Sequence, residues 1–194
     1  MKRICRYLQG TKDNGLVFNP SKKLVVDCYA DADFAGLWGH ENTQEPICAR
    51  GRTGFVVIFF NCLLFWVSKI QTEIAISTLH SEYVVLSCSV RPLLTLKILI
   101  KEVIDNLEID SENLMFVSSS TIYEDNNGAM VVATSPRMTL TSNHIAVKYH
   151  WFRKQVGKEF VIWKIESENQ KADIFTKGLK GKIFVRIRKL LCGW

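Results

Sequence analysis

At Ser77 the spacing of apolar residues changes period, and this change constrains the fold more than any other feature of the chain. Before it, apolar and β-branched residues come in short runs, Leu24 to Ala30, Thr53 to Phe60 and Leu63 to Val67. After it, Leu79, Tyr83, Leu86 and Val90 recur at three- or four-residue intervals, and Leu93, Leu96, Leu99, Ile100 and Val103 continue the pattern. The first spacing suits buried strands and the second a long core-facing helix. Pro92 falls inside the helical stretch, where its missing N–H and its ring predict a kink or the start of a second helix. Phe55 to Val67 is the most apolar run, is interrupted by Asn61, and is too short to cross a bilayer. It predicts a hairpin turning at Asn61 and Cys62, and no membrane partner.

The rest of the chain alternates. Thr121 to Glu124 reads as a strand, Asn127 to Thr134 as a helix, Ile145 to Val156 as helical spacing, Phe160 to Ile165 as a strand and Ala172 to Leu179 as a helix. Lys2 to Gly15 predicts a short amphipathic helix closed by the turn Lys12-Asp13-Asn14-Gly15, while Leu37 to Gly51 and Asp110 to Ser119 are loops. Strands first and alternation afterwards imply an α/β fold, a mixed sheet with helices packed on it.

Composition narrows the function classes. A chain of 194 residues with 47% hydrophobic residues fits one domain with a real core. Its 25 Lys+Arg against 19 Asp+Glu give a net charge of +6, which suits a polyanionic partner. The 6 cysteines are scattered without a CxxC pair, which argues against a zinc site and a disulfide scaffold. Reduced thiols point to the cytoplasm or nucleus, and Met1 to Gly10 is too basic and polar for a signal peptide.

Four acids stand at element ends. Asp31 closes the first strand, Glu82 lies in the first turns of the long helix, Asp125 follows the strand after it, and Asp173 opens the last helix. Singly, each has a plain explanation: a loop acid for Asp31, a solvated helix residue for Glu82, a helix N-cap for Asp125 and Asp173. Together they can converge at the carboxyl edge of a sheet, where open sheets place their ligands. Gathered carboxylates repel one another unless a hard cation joins them, and oxygen ligands select Mg²⁺ or Mn²⁺.

At these residues the sequence resembles a known family. DADFAG (Asp31 to Gly36), RTGFV (Arg52 to Val56), SKIQ (Ser68 to Gln71), SEYVVLS (Ser81 to Ser87), YEDNNGA (Tyr123 to Ala129), HIAVKYHWFRK (His144 to Lys154) and KADIFTKGL (Lys171 to Leu179) appear in order. The set resembles the ribonuclease H domain of copia-type retrotransposon polyproteins, and RYLQGTKDNGL (Arg6 to Leu16) resembles the segment joining reverse transcriptase to it. The resemblance implies a ribonuclease H-like mixed five-stranded sheet with helices on both faces. It divides the chain into a connection at 1–20, the domain at 21–179 and a basic tail at 180–194.

The family's catalytic, metal-binding quartet falls on Asp31, Glu82, Asp125 and Asp173, with Asp33 accessory. The implied activity is endonucleolytic hydrolysis of the RNA strand of RNA–DNA hybrids by two Mg²⁺ or Mn²⁺ ions roughly 3.5–4 Å apart. A reverse transcriptase domain is the implied partner, and a virus-like particle in the cytoplasm or the nucleus the implied location. Thr78 and Asn127, beside Glu82 and Asp125, are candidates for contacts to the 2′-hydroxyl. Lys148, Arg153 and Lys154 are candidates for a phosphate track, against a plain solvated basic face. His144 and His150 read as core or nucleic-acid-facing residues, and the loop Glu166 to Lys171 holds no histidine.

The sequence departs from the family at Arg52, where Ser is common, His80, where Glu is common, Asn143, where Lys is common, and Pro92, inside a helix that is normally continuous. These departures keep open a second reading, a catalytically silent nucleic-acid-binding or structural remnant of the polyprotein.

Overall fold

The computed structural model describes residues 2–21, 25–36, 45–107, 120–135, 145 and 147–194. Residues 37–44 of the loop expected at 37–51, the linker at 110–119, Asn143 and His144 lie outside the described residues, and the rest of that loop holds a 3-10 helix, Pro46–Ala49. The helices are α1 (Lys2–Gly10), α2 (Thr78–Asn106), α3 (Asn127–Thr134) and α4 (Gly181–Cys192). The strands are β1 (Val26–Asp33), β2 (Arg52–Phe59), β3 (Cys62–Ile70), β4 (Ser120–Glu124) and β5 (Phe160–Lys164).

The strands form one mixed sheet in the order β3-β2-β1-β4-β5. β1 is central, antiparallel to β2 and parallel to β4, and β4 is in turn parallel to β5. Strand alternation sorts the core into two layers. Cys28, Ala30 and Ala32 of β1 meet Tyr83, Leu86, Val90 and Leu93 of α2, with Ala129 and Val132 of α3 alongside. Small residues at 30 and 32 let the long helix lie close to the sheet. Tyr29, on the opposite face, packs with Val56, Ile58 and the α4 residues Ile187 and Leu191. Helices therefore cover both faces, as the family resemblance implies.

Several local expectations need correction. The hairpin turns at Phe60 and Asn61, one residue earlier than expected, because both adopt left-handed backbone with φ of 55° and 64°. Two successive positive φ values match the right-handed twist of the flanking strands, and Asn tolerates that conformation well. α2 runs through Pro92 without breaking into two helices. Val90 and Leu93 on either side are fully buried, so packing holds the helix across the one bond that proline cannot make. α2 is also long and apolar enough to cross a membrane, yet half of its most apolar window is buried inside the fold.

The helix expected over 145–156 is two short 3-10 helices, Val147–Tyr149 and Trp151–Gln155. Tyr149 of the first and Phe152 of the second are both buried. The helix expected over 172–179 is a 3-10 turn, Lys171–Phe175, which ends where the Thr176 and Lys177 N–H groups both turn back to the Asp173 carbonyl. The segment after Gly181 is α4, which Gly193 ends in left-handed backbone at φ 86°. It is anchored by the Val17 N–H on the Cys192 carbonyl and by the Trp194 indole N–H on the Gly15 carbonyl.

Candidate metal centre

β1 and β4 pair in parallel only as far as Tyr29 and Tyr123. Beyond that register β1 continues to Asp33 beside β2 while β4 turns into α3, and the crevice between them is where the acids gather. Asp31 is fully buried and stands opposite Gly54 of β2. A Cβ on Gly54 would come within 2.4 Å of Thr176 Cγ2 and 3.0 Å of Phe175 Cβ. Glycine in the RTGFV stretch thus lets the 171–176 segment close over β1. Thr176 Oγ1 then donates to Asp31 Oδ2, and Lys177 Nζ donates to Asp31 Oδ1 at 2.9 Å.

Glu82 sits in the second turn of α2, 4% exposed, after Ser77 caps the helix by accepting from the His80 N–H. Gln71 and Ser81 fix this turn to the end of β3. Gln71 Nε2 donates to the Ser81 carbonyl at 3.0 Å, and Ser81 Oγ returns a bond to Gln71 Oε1 at 3.2 Å. Asp125 follows β4 directly. It is not the cap of α3: Asn126 holds that place and accepts from the Ala129 N–H at 3.0 Å, which leaves the Asp125 carboxylate for the crevice.

Asp31, Glu82 and Asp125 each offer an oxygen, and these oxygens lie within 4.8 Å of one another. Asp173 does not join the group. It meets Asp31 through Lys177, whose Nζ is 2.8 Å from Asp173 Oδ1. Nor is Asp173 a helix cap, since the side chain of Gln170 accepts the Ala172 N–H and caps that turn.

Burial strains the charges. It pushes the Glu82 carboxyl far above the carboxylate range, and Glu124, Asp31 and Asp125 push in the same direction. It raises Asp31 to about 7, against the opposing pull of Lys177 and of the Thr176 hydroxyl. Glu124, fully buried, is raised by the same burial, although the Asn126 N–H on its carboxylate works against it. Glu82 Oε2 and Glu124 Oε2 have no hydrogen-bond partner among the described residues. An all-oxygen donor set with unpartnered buried lone pairs fits a hard divalent cation.

The other candidate residues, Asn127 apart, are spread over three hollows. Thr78 lines the same hollow of about 450 Å³ as Glu82, Asp125, Asp33 and Lys177. Asn127 is the exposed first residue of α3. Lys148 pairs with Glu73 and lines a second hollow with Lys69, Arg91 and Trp151. Arg153 and Lys154 line a third with His150, and His150 Nδ1 lies 2.9 Å from the Tyr83 hydroxyl. Sequence reasoning passed over Lys177, Thr176, Gln170 and Glu124. For Glu124 a signal existed: strand alternation from buried Ile122 places it on the α2 face, beside Glu82.

A mixed sheet in this order, helices on both faces and acids where β1 and β4 part make this a ribonuclease H-like α/β domain. Its sequence is similar to a segment of copia-type retrotransposon Pol polyproteins. It is 27% identical over 192 residues to the retrovirus-related Pol polyprotein from transposon TNT 1-94 of Nicotiana tabacum, which covers 98% of this chain and 13% of that protein. It is 28% identical over 185 residues to the Pol polyprotein from transposon RE2 of Arabidopsis thaliana, covering 95% and 12% respectively. The chain thus spans about an eighth of the length of these relatives. The N-terminal ribonuclease H domain of rv2228c from Mycobacterium tuberculosis aligns with a TM-score of 0.48 and 11% identity, over 86% of this chain and 98% of that one. No protein-family model matches the chain.

Proposed function

We propose that the chain hydrolyses the RNA strand of RNA–DNA hybrids, with Asp31, Glu82 and Asp125 holding Mg²⁺ or Mn²⁺, as the ribonuclease H part of a retrotransposon polyprotein. One observation carries the reading: the three carboxylates bring oxygens within 4.8 Å of one another in the crevice, and the buried Oε2 of Glu82 has no partner there among the described residues. A divalent ion at such a site supplies Lewis-acid stabilisation of a phosphoryl oxygen and a water acidic enough to attack at neutral pH.

The chain's own residues supply the rest. Gln71 and Ser81 hold the turn that carries Glu82 against the end of β3, which fixes where its backbone stands at the crevice. Thr78, which lines the same hollow, would donate to or accept from a ribose 2′-hydroxyl, the group that separates RNA from DNA. Lys69, Arg91 and Lys148, beside Trp151 in the second hollow, would offer cations to a nucleic-acid backbone and an aromatic face to a base. In its biological setting the domain would act beside a reverse transcriptase in the cytoplasm or nucleus.

The test is cleavage of a hybrid labelled on its RNA strand by the purified chain, with Mg²⁺ or with EDTA, against a DNA duplex control. The expected result is Mg²⁺-dependent cutting of the RNA strand alone. A folded protein that cuts neither substrate would establish the silent remnant instead.

A further inference from the structure

The crevice carries its own cation. Lys177 Nζ lies 2.9 Å from Asp31 Oδ1 and 2.8 Å from Asp173 Oδ1, between two carboxylates brought together from opposite ends of the chain. The placement is built in, since the Thr176 and Lys177 N–H groups both turn back to the Asp173 carbonyl and bring Lys177 beside Asp173. The remaining oxygen of Asp31 accepts from Thr176. Charge in the site is therefore divided unevenly. The Asp31 and Asp173 side is neutralised by an ammonium. On the other side, no Lys or Arg among the described residues forms an ion pair with Glu82 or Asp125, and Glu82 Oε2 is buried without a partner.

We propose that Lys177 is a positioning residue whose ammonium takes the place of a second divalent ion between Asp31 and Asp173. The chain then binds a single divalent ion, on Asp31, Glu82 and Asp125. This rests on the metal reading given under Proposed function but departs from a two-ion site with four equivalent carboxylates. A divalent ion entering between Asp31 and Asp173 would meet a like charge at contact distance, and unlike-charge attraction already spent on Lys177 would have to be given up. The oxygens at this position belong to Asp31 and Asp173 and the lysine supplies only its charge, so removing the charge should open the second position rather than destroy it.

The experiment counts Mn²⁺ ions bound to the full chain by calorimetry and by the loss of the free-ion paramagnetic signal. It compares wild type with Lys177→Met, Lys177→Arg and Asp173→Asn, and follows thermal unfolding of each in EDTA. Wild type and Lys177→Arg are expected to bind one ion and Lys177→Met two. In EDTA, Lys177→Met should melt below wild type, and Mn²⁺ should raise its melting temperature more than that of wild type. Asp173→Asn should leave the affinity for the first ion within about twofold, and this arm decides the matter should Lys177→Met fail to fold. Two ions on wild type, one ion on folded Lys177→Met, or a tenfold weaker first ion in Asp173→Asn would each overturn the proposal while leaving the metal centre standing. No ion on folded wild type would instead overturn the metal reading itself, and this proposal with it.

Discussion

The side-chain amide of Gln170 donates to the carbonyl of Ala30 at 2.8 Å, spanning 140 residues of sequence. Ala30 lies just past the last β1–β4 pair, and Gln170 covers the sheet there while its Oε1 accepts the Ala172 N–H. Gln170→Ala would strand that carbonyl and that N–H in a fully buried place. An unsatisfied buried group costs about 1–3 kcal/mol. Urea unfolding of the metal-free protein should show a loss of that size, and an unchanged midpoint would mean that the bond does not hold the Asp173 turn to β1.

Pro92 offers the opposite case. The helix runs through it at a cost of up to about 3 kcal/mol, because one main-chain bond is missing and the ring crowds the previous turn. Pro92→Ala should therefore raise the melting temperature. Pro92 stands ten residues beyond Glu82, about 15 Å along the helix, so the affinity of the metal centre for Mn²⁺ should stay within about twofold. A lower melting temperature would show that the ring's packing outweighs the lost bond.

Asp125 and Asn126 are neighbours with separable duties. Asn126→Ala removes the cap of α3 and should cost about 1 kcal/mol with ion affinity changed little. Asp125→Asn removes a ligand and no cap. It should weaken Mn²⁺ binding at least tenfold, while metal-free stability holds or rises as repulsion with Glu82 falls. Equal ion affinities in the two variants would remove Asp125 from the centre.

The same crowding sets a pH dependence. Asp31 titrates near 3.8 when unfolded and is held up at about 7 by burial in the fold. Between those values the folded protein binds more protons than the unfolded chain, so the contribution of Asp31 to stability is full at low pH and is lost as pH rises toward 7. Metal-free protein should lose melting temperature from about pH 4 to pH 7. Saturating Mg²⁺, which binds the deprotonated form, should flatten or reverse that slope. A metal-free melting temperature that climbs over the same range would contradict burial as the dominant influence on the Asp31 carboxyl.

Much of this was legible in the sequence because periodicity reports burial. The change of period at Ser77 found the strands and α2, and Asn127 to Thr134 forms a helix with the expected bounds. Elements held by side chains from elsewhere were not legible in this way. The 145–156 stretch has helical spacing, but ties such as the Trp151 indole on Ser87 and the Tyr83 hydroxyl at His150 accompany tight 3-10 turns. In the site, position along the elements brought Asp31, Glu82 and Asp125 together. It did not reveal that Lys177 stands between Asp31 and Asp173, since that depends on the close approach that Gly54 permits.

The most direct measurement is a paired assay of wild type and Glu82→Gln, reading Mn²⁺ binding and Mg²⁺-dependent cleavage of an RNA–DNA hybrid on the same preparations. Gln keeps the size of the side chain but cannot ionise to meet a cation, as the Glu82 carboxyl buried beside Glu124, Asp31 and Asp125 must do. The account expects Glu82→Gln to fold with equal or higher metal-free stability, to lose ion binding, and to cleave at least 100-fold more slowly than wild type. A Glu82→Gln protein that binds the ion and cuts the RNA strand as fast as wild type would contradict it.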